Sequence, residues 1–527
     1  MSGTSRLGDL ARIAIAAWHA RLGSKTATHK ILHFETAPAD RIAFSRKLAY
    51  GMGAFVNNLL AAAIGGMIII LNLGLGMNPA LVGLAGALPR VTDALTDPMM
   101  GFISDNTRSR WGRRRPYIFI GAITSGLTYA LLWMLPAGQS ETFYFWYFTI
   151  GSTIFYLAYT IFATPWVALG YELTPDYHER TRLMGVQNFI GQIAYLVSPW
   201  FLWMMTNKAW FATPVSGARG LALAIGVLTI IVGVFPAIFL RERFKDAEPA
   251  VASAVAADVP SESMLTALRR NMAAFAKGFA TTLRSKPYLK LCIATFLVFN
   301  GFIMISSFQS YVIIYYVFGG DQEMGARYAG YSGTLGAIST FAIIFFITWL
   351  ATKVGKRRAF FVSTGVSMVG YAIKWFCYNP RYPWLLLLPS PLIAFGLGGL
   401  FTLMGSMIAD VVDCDELETH QRREGMFGSI YWWVVKVGMA AALAGGGFLL
   451  NATGFDVALG AQQSAQTLVL MRLCDVLVPL ITSGIAIWVI ASYPITEEKA
   501  HEVRKALEAR RGAAGTAAAA AAAATAG

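Results

Sequence analysis

Two aspartates stand four residues apart in Leu88-Pro-Arg-Val-Thr-Asp-Ala-Leu-Thr-Asp-Pro98, inside a long apolar stretch. On a helix Asp93 and Asp97 share one face, and Arg90, three residues before Asp93, shares it as well. An ionised carboxylate in hydrocarbon costs at least about 2.5 kcal/mol, and two neighbouring ones repel each other. They must bind a cation, share a proton or meet a basic partner. Thr92 and Thr96, on the same helix, add hydroxyl oxygens of the kind Na⁺ accepts. The basic partner is Lys436, in Trp432-Trp-Val-Val-Lys-Val-Gly438, near the middle of another apolar run. A lysine beside two aspartates can alternate with a bound cation, neutralised when the cation leaves and freed when it binds. That is a coupling device; a static ion-pair cluster is the plainer alternative. Arg90 is expected to brace Asp93 or the charges at the helix end. Lys374 lies close to the end of its run, beside Trp375 and Tyr378, and is expected to snorkel to the membrane surface.

A substrate would meet polar or aromatic residues placed deep in such runs. The candidates are Asn58, Tyr159, Thr164, Trp166, Gln187, Gln192, Asn300, Trp432 and Trp433, with Asn57, Thr160, Asn188 and Gln309 nearby. Amides beside indole faces suit a polyhydroxylated ligand, whose ring stacks while its hydroxyls find donors and acceptors. Any one of them could instead join two helices by hydrogen bonds.

These residues need long apolar helices to hold them. Hydrophobic residues make up 56% of the 527-residue chain and charged residues 14%, with a mean hydropathy of +0.53. A soluble protein of this size needs far more charge to cover its surface. Twelve runs reach the roughly 20 residues that span a bilayer, at about 48–75, 79–104, 117–136, 143–172, 184–206, 219–240, 288–318, 327–352, 359–378, 384–412, 426–450 and 467–492. All but eight of the 43 Lys and Arg fall in alternate connecting segments, beginning with residues 1–49 and ending with the tail from 493. This asymmetry places both termini in the cytoplasm. The net charge of +14 is therefore a topology signal, and nucleic-acid binding is excluded as its explanation.

Residues 1–46 read as a cytoplasmic or interfacial arm, with Ser5–Gly23 basic and amphipathic. Residues 47–240 form one six-helix bundle and 288–492 a second, joined by a cytoplasmic segment, 241–287. In that segment Asp246–Ser263 is Ala-, Val-, Ser- and Pro-rich and expected to be flexible, while Leu265–Leu283 reads as a surface amphipathic helix. Residues 493–527 are a cytoplasmic Ala-rich tail. The bundles look like weak repeats: Gly112-Arg-Arg-Arg115 matches Gly355-Lys-Arg-Arg358, and the acidic end Glu172–Asp176 matches Asp410–Asp413, each pair about 240 residues apart. Asp105, Arg113, Arg114, Glu172, Asp176, Arg182, Arg357, Arg358, Asp410 and Asp413 are expected to form ion pairs that hold the cytoplasmic side shut and break as the halves rock.

Cys292, Cys377, Cys414 and Cys474 have neither disulfide-framework nor metal spacing. No cleavable signal peptide is evident. HExxH, GxSxG and P-loop motifs are missing and the six His cluster nowhere, so neither an enzyme nor an ATP-driven pump is expected from this chain.

The stretches Lys47-Leu-Ala-Tyr-Gly-Met-Gly-Ala-Phe55, Arg90–Pro98, Asn106-Thr-Arg-Ser-Arg-Trp-Gly112 with Arg115-Pro116, Ala158-Tyr-Thr160 with Pro165, Glu179-Arg-Thr181, Ala409–Asp413 and Val434-Val-Lys436 resemble the glycoside–pentoside–hexuronide:cation symporter family. That family lies within the major facilitator superfamily, and melibiose permease is a familiar member. The resemblance covers about residues 45–495. It implies an all-α polytopic membrane protein of the major facilitator fold, working by alternating access, usually as a monomer, in a bacterial cytoplasmic (inner) membrane. It implies no cofactor, and Na⁺ or H⁺ as the coupling ion at Asp93, Asp97 and Thr160, with Lys436 at the coupling position. Thr96 stands where sodium-using relatives carry Asn, which leaves the ion open. Galactoside relatives grip sugar hydroxyls with two further Asp and an Arg; the matching positions here are Asn58, Ala163 and Gln187. The resemblance therefore implies a different glycoside or oligosaccharide. A lysolipid or other amphiphile is the alternative, and would call for a greasy, laterally open groove.

Overall fold

The computed structural model describes residues 38–242 and 278–510 apart from 108, 175, 421, 422 and 508, together with 266, 270 and 273. Ser5–Gly23, Asp246–Ser263, most of Leu265–Leu283 and the tail from Gly512 lie outside the described residues.

Within the described residues the chain is helical, with no strand. The first set of long helices comprises α1 (Phe44–Met67), α2 (Pro79–Asn106), α3 (Arg115–Leu132), α4 (Glu141–Glu172), α5 (Tyr177–Val197) and α6 (Pro214–Gly233). The second comprises α7 (Lys286–Tyr311), α8 (Gln322–Val354), α9 (Lys356–Cys377), α10 (Pro389–Thr419), α11 (Glu424–Ala452) and α12 (Ala465–Ala491). Caps set several starts. Asn78 accepts from the Ala80 N–H with Pro79 at the first position, Ser140 accepts from Phe143 N–H, and Thr213 with Ser216 closes a reciprocal capping box on α6. Ten helices among the described residues are long and apolar enough to cross a membrane. The expected spans 79–104 and 117–136 are helical too, as α2 and α3, but fall outside that set. α2 carries Arg90, Asp93, Asp97 and Asp105, and α3 is only 18 residues long and begins on Arg115.

The two sets meet mainly along two seams: α2 against α11, and the turn Ser198–Thr206 against α8. The first seam needs glycine. A Cβ on Gly447 would overlap the Pro79 carbonyl, and one on Gly83 would lie 2.5 Å from the Leu443 carbonyl. The Asn78 amide donates across this seam to Asn451 Oδ1 at 3.2 Å. At the second seam the Trp200 indole donates to Thr334 Oγ1 at 2.9 Å and its ring lies where a Cβ on Gly330 would be. These contacts lie away from the basic loops at 105–115 and 353–358.

Lys374 does not snorkel. Its side chain is fully buried and donates to Asp475 Oδ1 on α12 at 2.7 Å, with Gln309 Oε1 at 3.4 Å and the Tyr378 ring 5.2 Å away. Pairing with a buried carboxylate outweighed the reach to the surface, because helix packing placed Asp475 within a side chain's length. Asp475→Asn leaves the ammonium buried without a counter-charge, a change worth about 3–5 kcal/mol. We expect that variant to lose much of its thermal stability in detergent, and the double variant Lys374→Met/Asp475→Leu to regain most of it. Equal loss in both would show that more than the ion pair was broken.

Candidate cation site between two helices of opposite sets

Asp93 lies on α2 where that helix crosses α11, and it is fully buried. Arg90 Nη1 is 3.7 Å from its Oδ2, and the Arg90 guanidinium rests 4.5 Å from the centre of the Tyr156 ring. Lys436, entering from α11, hydrogen-bonds Asp97 Oδ2 and places Nζ 3.1 Å from Asp93 Oδ2. Thr160 on α4 donates towards Asp93 Oδ1 and Asp97 Oδ1, each at 3.2 Å. Thr164, one turn further on, lies 3.2 Å from Asp97 Oδ1, and Thr96 Oγ1 is 3.3 Å from Thr160 Oγ1. Three hydroxyls and two carboxylates thus converge from two helices, with two cations at their edge. Asp93 Oδ2 is buried and receives no well-aligned hydrogen bond; its neighbours are the Lys436 ammonium at 3.1 Å and Arg90 Nη1 at 3.7 Å. Pro98 lacks the N–H that would otherwise bond the Ala94 carbonyl, a local gap in the helix beside the aspartates. Asp93 is fully buried, whereas the Asp97 side chain, one turn nearer the basic loops, is 35% exposed.

Other expected residues sort differently. Thr164 belongs to the carboxylate cluster and not to a substrate surface. Trp166 is a core residue, 2% exposed, with its indole donating to the Tyr50 carbonyl at 3.2 Å. Asn300 is buried and donates to Phe296 O of its own helix at 2.7 Å, filling the space that Gly438 leaves on α11. Asn58 donates to Gly191 O at 3.1 Å and so ties α1 to α5. Tyr159 donates to Asn57 Oδ1 at 2.8 Å and is buried behind the cluster. In each case a buried or half-buried polar group has a backbone or side-chain partner within the protein. Gln187 and Gln192 are half-buried on α5, and the Gln187 carbonyl oxygen accepts no hydrogen bond. Trp432 is 57% exposed and stacks on Phe401 at 6.1 Å, whereas Trp433 turns to Phe279, edge-on at 4.9 Å.

The charged helix ends pair within each set. Arg113 and Arg114 bond Glu172, and Arg114 also bonds Asp105 at 2.6 Å. Lys356 bonds Asp410 at 2.6 Å in the second set, so the basic-loop-to-acidic-end contact recurs. Asp176 caps α5 through the Glu179 N–H at 2.7 Å, and Arg182 reaches Glu179 at 3.0 Å. Arg357 donates to the Ala491 carbonyl; Arg358 is exposed and Asp413 half-buried. Among the described residues, each of these pairs lies within one set. Sequence reading missed Lys47, which bonds Glu179 at 2.6 Å, and Glu242, which accepts the Arg113 and Arg114 N–H groups at 2.8 Å each and caps α3. The signal for Glu242 was its place among arginines just after an apolar run.

A carboxylate–hydroxyl cluster thus converges where the two helix sets cross. The sequence profile of MFS/sugar transport proteins matches residues 49–497. The chain belongs to this family. It is a multi-pass membrane transporter, not an enzyme. An uncharacterized symporter of Synechocystis is 27% identical, covering 90% of this chain and 99% of the relative. The isoprimeverose transporter of Lactiplantibacillus pentosus is 24% identical, covering 86% and 90%. The sodium-dependent lysophosphatidylcholine symporter 1-B of zebrafish, Danio rerio, is 24% identical, covering 90% and 91%. Among solved structures, a bacterial homologue of the human lysosomal transporter Spinster shares the fold, with a TM-score of 0.60 at 13% identity, over 86% of this chain and 97% of that one.

Proposed function

We propose that the protein is a cation-coupled symporter that carries a glycoside or oligosaccharide across a bilayer by alternating access. It has twelve spans in two six-helix bundles, with both termini in the cytoplasm. The observation that carries this reading is the competition for two carboxylates. Lys436 now occupies the place beside Asp93 and Asp97 that a Na⁺ or H⁺ would take. Asp93, Asp97, Thr160, Thr164 and Thr96 supply the oxygens for either ion. Binding displaces the ammonium and loosens the charge link between α2 and α11, so the ion's arrival is felt at the seam. The exposed Trp432, backed by Phe401, supplies a stacking face one turn from Lys436, and the half-buried Gln187 and Gln192 on α5 supply amides. Relatives named as symporters and as an isoprimeverose transporter support the class. The protein works without a cofactor, as a monomer, in a bacterial inner membrane.

An amphiphile is the second reading, and one observation favours it. α8 meets the first set mainly through the turn Ser198–Thr206, and towards its basic-loop end it bares Phe345, Phe346 and Trp349, opposite Phe189 on α5, which is 71% exposed. This is the greasy flank that a lipid tail would use, and a lysophosphatidylcholine symporter is among the relatives.

The test is uptake by purified protein in liposomes, using labelled glycosides and a lysolipid under imposed Na⁺ or H⁺ gradients. Accumulation of a glycoside that follows one gradient supports the reading and names the ion. Accumulation of the lysolipid alone replaces the substrate, and uptake indifferent to both gradients overturns coupling.

A further inference from the structure

A cavity of about 360 Å³ lies at the end of the α2–α11 seam away from the basic loops. Both helix sets line it, with Asn72, Asn78 and Glu141 from the first and Asn451 and Asp456 from the second. Among the described residues no Lys, Arg or His lines it, so its two carboxylates bring two negative charges with no cation in the lining to offset them. Each carboxylate has one oxygen engaged by backbone. Glu141 accepts the Asn78 N–H, and Asp456 accepts the Ala458 N–H at 2.9 Å. The second oxygen of each carries no hydrogen bond among the described residues. An independent sign of a ligand is Asn72, in the segment between α1 and α2, which is wholly buried. Gly76, at φ 72°, turns the chain back, so that Asn72 Nδ2 donates to the Met77 carbonyl at 2.6 Å. Asn72 Oδ1 is buried and accepts nothing. A buried carbonyl oxygen without a donor is unfavourable, and a cation in the cavity satisfies it.

We propose that this cavity binds one divalent cation, Ca²⁺ or Mg²⁺, through Glu141, Asp456 and Asn72, and that the bound ion clasps the two helix sets together at this end of the seam. The donors are carboxylate and amide oxygens, the set that hard divalent cations take, and neither Cys nor His lines the cavity to favour a softer metal. One divalent ion offsets both carboxylates, and the volume leaves room for several waters to complete its shell. The clasp rests on the alternating-access reading; the site itself does not. Glu141 and Asn72 belong to the first set and Asp456 to the second, so parting of the seam divides the ligands. The ion therefore binds the closed seam more tightly, and it shifts the population towards that state by the ratio of the two affinities. The Asn78–Asn451 hydrogen bond, at 3.2 Å, spans the same crossing beside it.

The experiment titrates full-length protein in detergent with Ca²⁺ and with Mg²⁺ alone, by calorimetry. One ion per chain is expected, with a dissociation constant of about 10⁻⁴–10⁻³ M, the range of extracellular Ca²⁺ modules. The double variant Glu141→Gln/Asp456→Asn keeps the acceptors for both backbone N–H groups and removes both charges. It is expected to bind at least about tenfold more weakly, whereas Asp93→Asn still binds. Spin labels at residues 208 and 381 report the seam. The divalent ion is expected to narrow their distance distribution towards short distances in the otherwise wild-type protein and not in the double variant. Absence of binding, or binding that the double variant leaves intact, overturns the site. Binding lost only in Asp93→Asn assigns the ion to the central carboxylates and overturns it as well. Binding that depends on Glu141 and Asp456 but leaves the distances unmoved overturns the clasp. None of these readouts uses transport, so loss of gradient-driven uptake in liposomes overturns symport and leaves the site standing.

Discussion

Asp93→Asn abolishes cation-driven uptake while the protein still purifies as a folded monodisperse species: this is the largest functional effect expected of any single substitution. Asparagine keeps the side-chain shape and the acceptor that faces Thr160, 3.2 Å away. It removes the charge that holds both Arg90 and Lys436 in a buried place. Breaking a buried charge set by removing one partner costs about 3–5 kcal/mol, and each 1.4 kcal/mol is about a tenfold change in affinity. Cation affinity is therefore expected to fall by about a hundredfold or more. Asp97→Asn gives a smaller loss, because its side chain is 35% exposed and water can stand in for part of what is removed. The check is initial uptake rate against cation concentration for wild type and both variants. Uptake in Asp93→Asn that matches wild type and responds to the gradient would reduce the pair to a structural brace.

Gly447→Val is expected to have the second largest effect, by a route that touches no ligand. The crossing of α2 and α11 is closed because neither Gly447 nor Gly83 has a side chain; a Cβ on Gly447 would enter the Pro79 carbonyl. Backbone on backbone has no rotamer by which to give way, so the variant disfavours this closed seam relative to the alternative open to that end. An overpacking cost of about 1–3 kcal/mol shifts the balance by about 5- to 150-fold. Transport falls because one of the two states that must alternate is starved. The measurement is the distance between spin labels at the exposed residues 208 and 381, one in each set. Broadening towards longer distances with loss of uptake is the expected result. An unchanged distance distribution with normal uptake would mean that the seam relaxes and that the close approach has no mechanical role.

The fold class was legible in the sequence because membrane helices are written in one dimension. Runs of apolar residues fix the length and number of helical segments without any partner in space. The observed α1 to α12 begin and end within several residues of the expected runs for this reason. Asp93, Asp97 and Lys436 were legible for a related reason: a charge in an apolar run is conspicuous and has to be paired. Asp475 escaped notice although the same logic applied, because Lys374 near the end of its run offered an easier account.

Tertiary structure alone decided which polar residues spend their hydrogen bonds inside the protein. Asn58, Tyr159, Trp166 and Asn300 look like ligand residues when read along the chain. Their donors are satisfied by Gly191, Asn57, Tyr50 and Phe296, and three of those partners lie more than 100 residues away in sequence. Thr164 went the other way, from substrate candidate to carboxylate partner, because α4 crosses α2 at the level of Asp97. The basic loops and acidic helix ends were predictable as partners by sign. Whether they pair within a set or across the two depends on where the sets touch. That is set by the glycines of α2 and α11 and by Trp200 packed against α8, contacts between distant segments that no local pattern encodes.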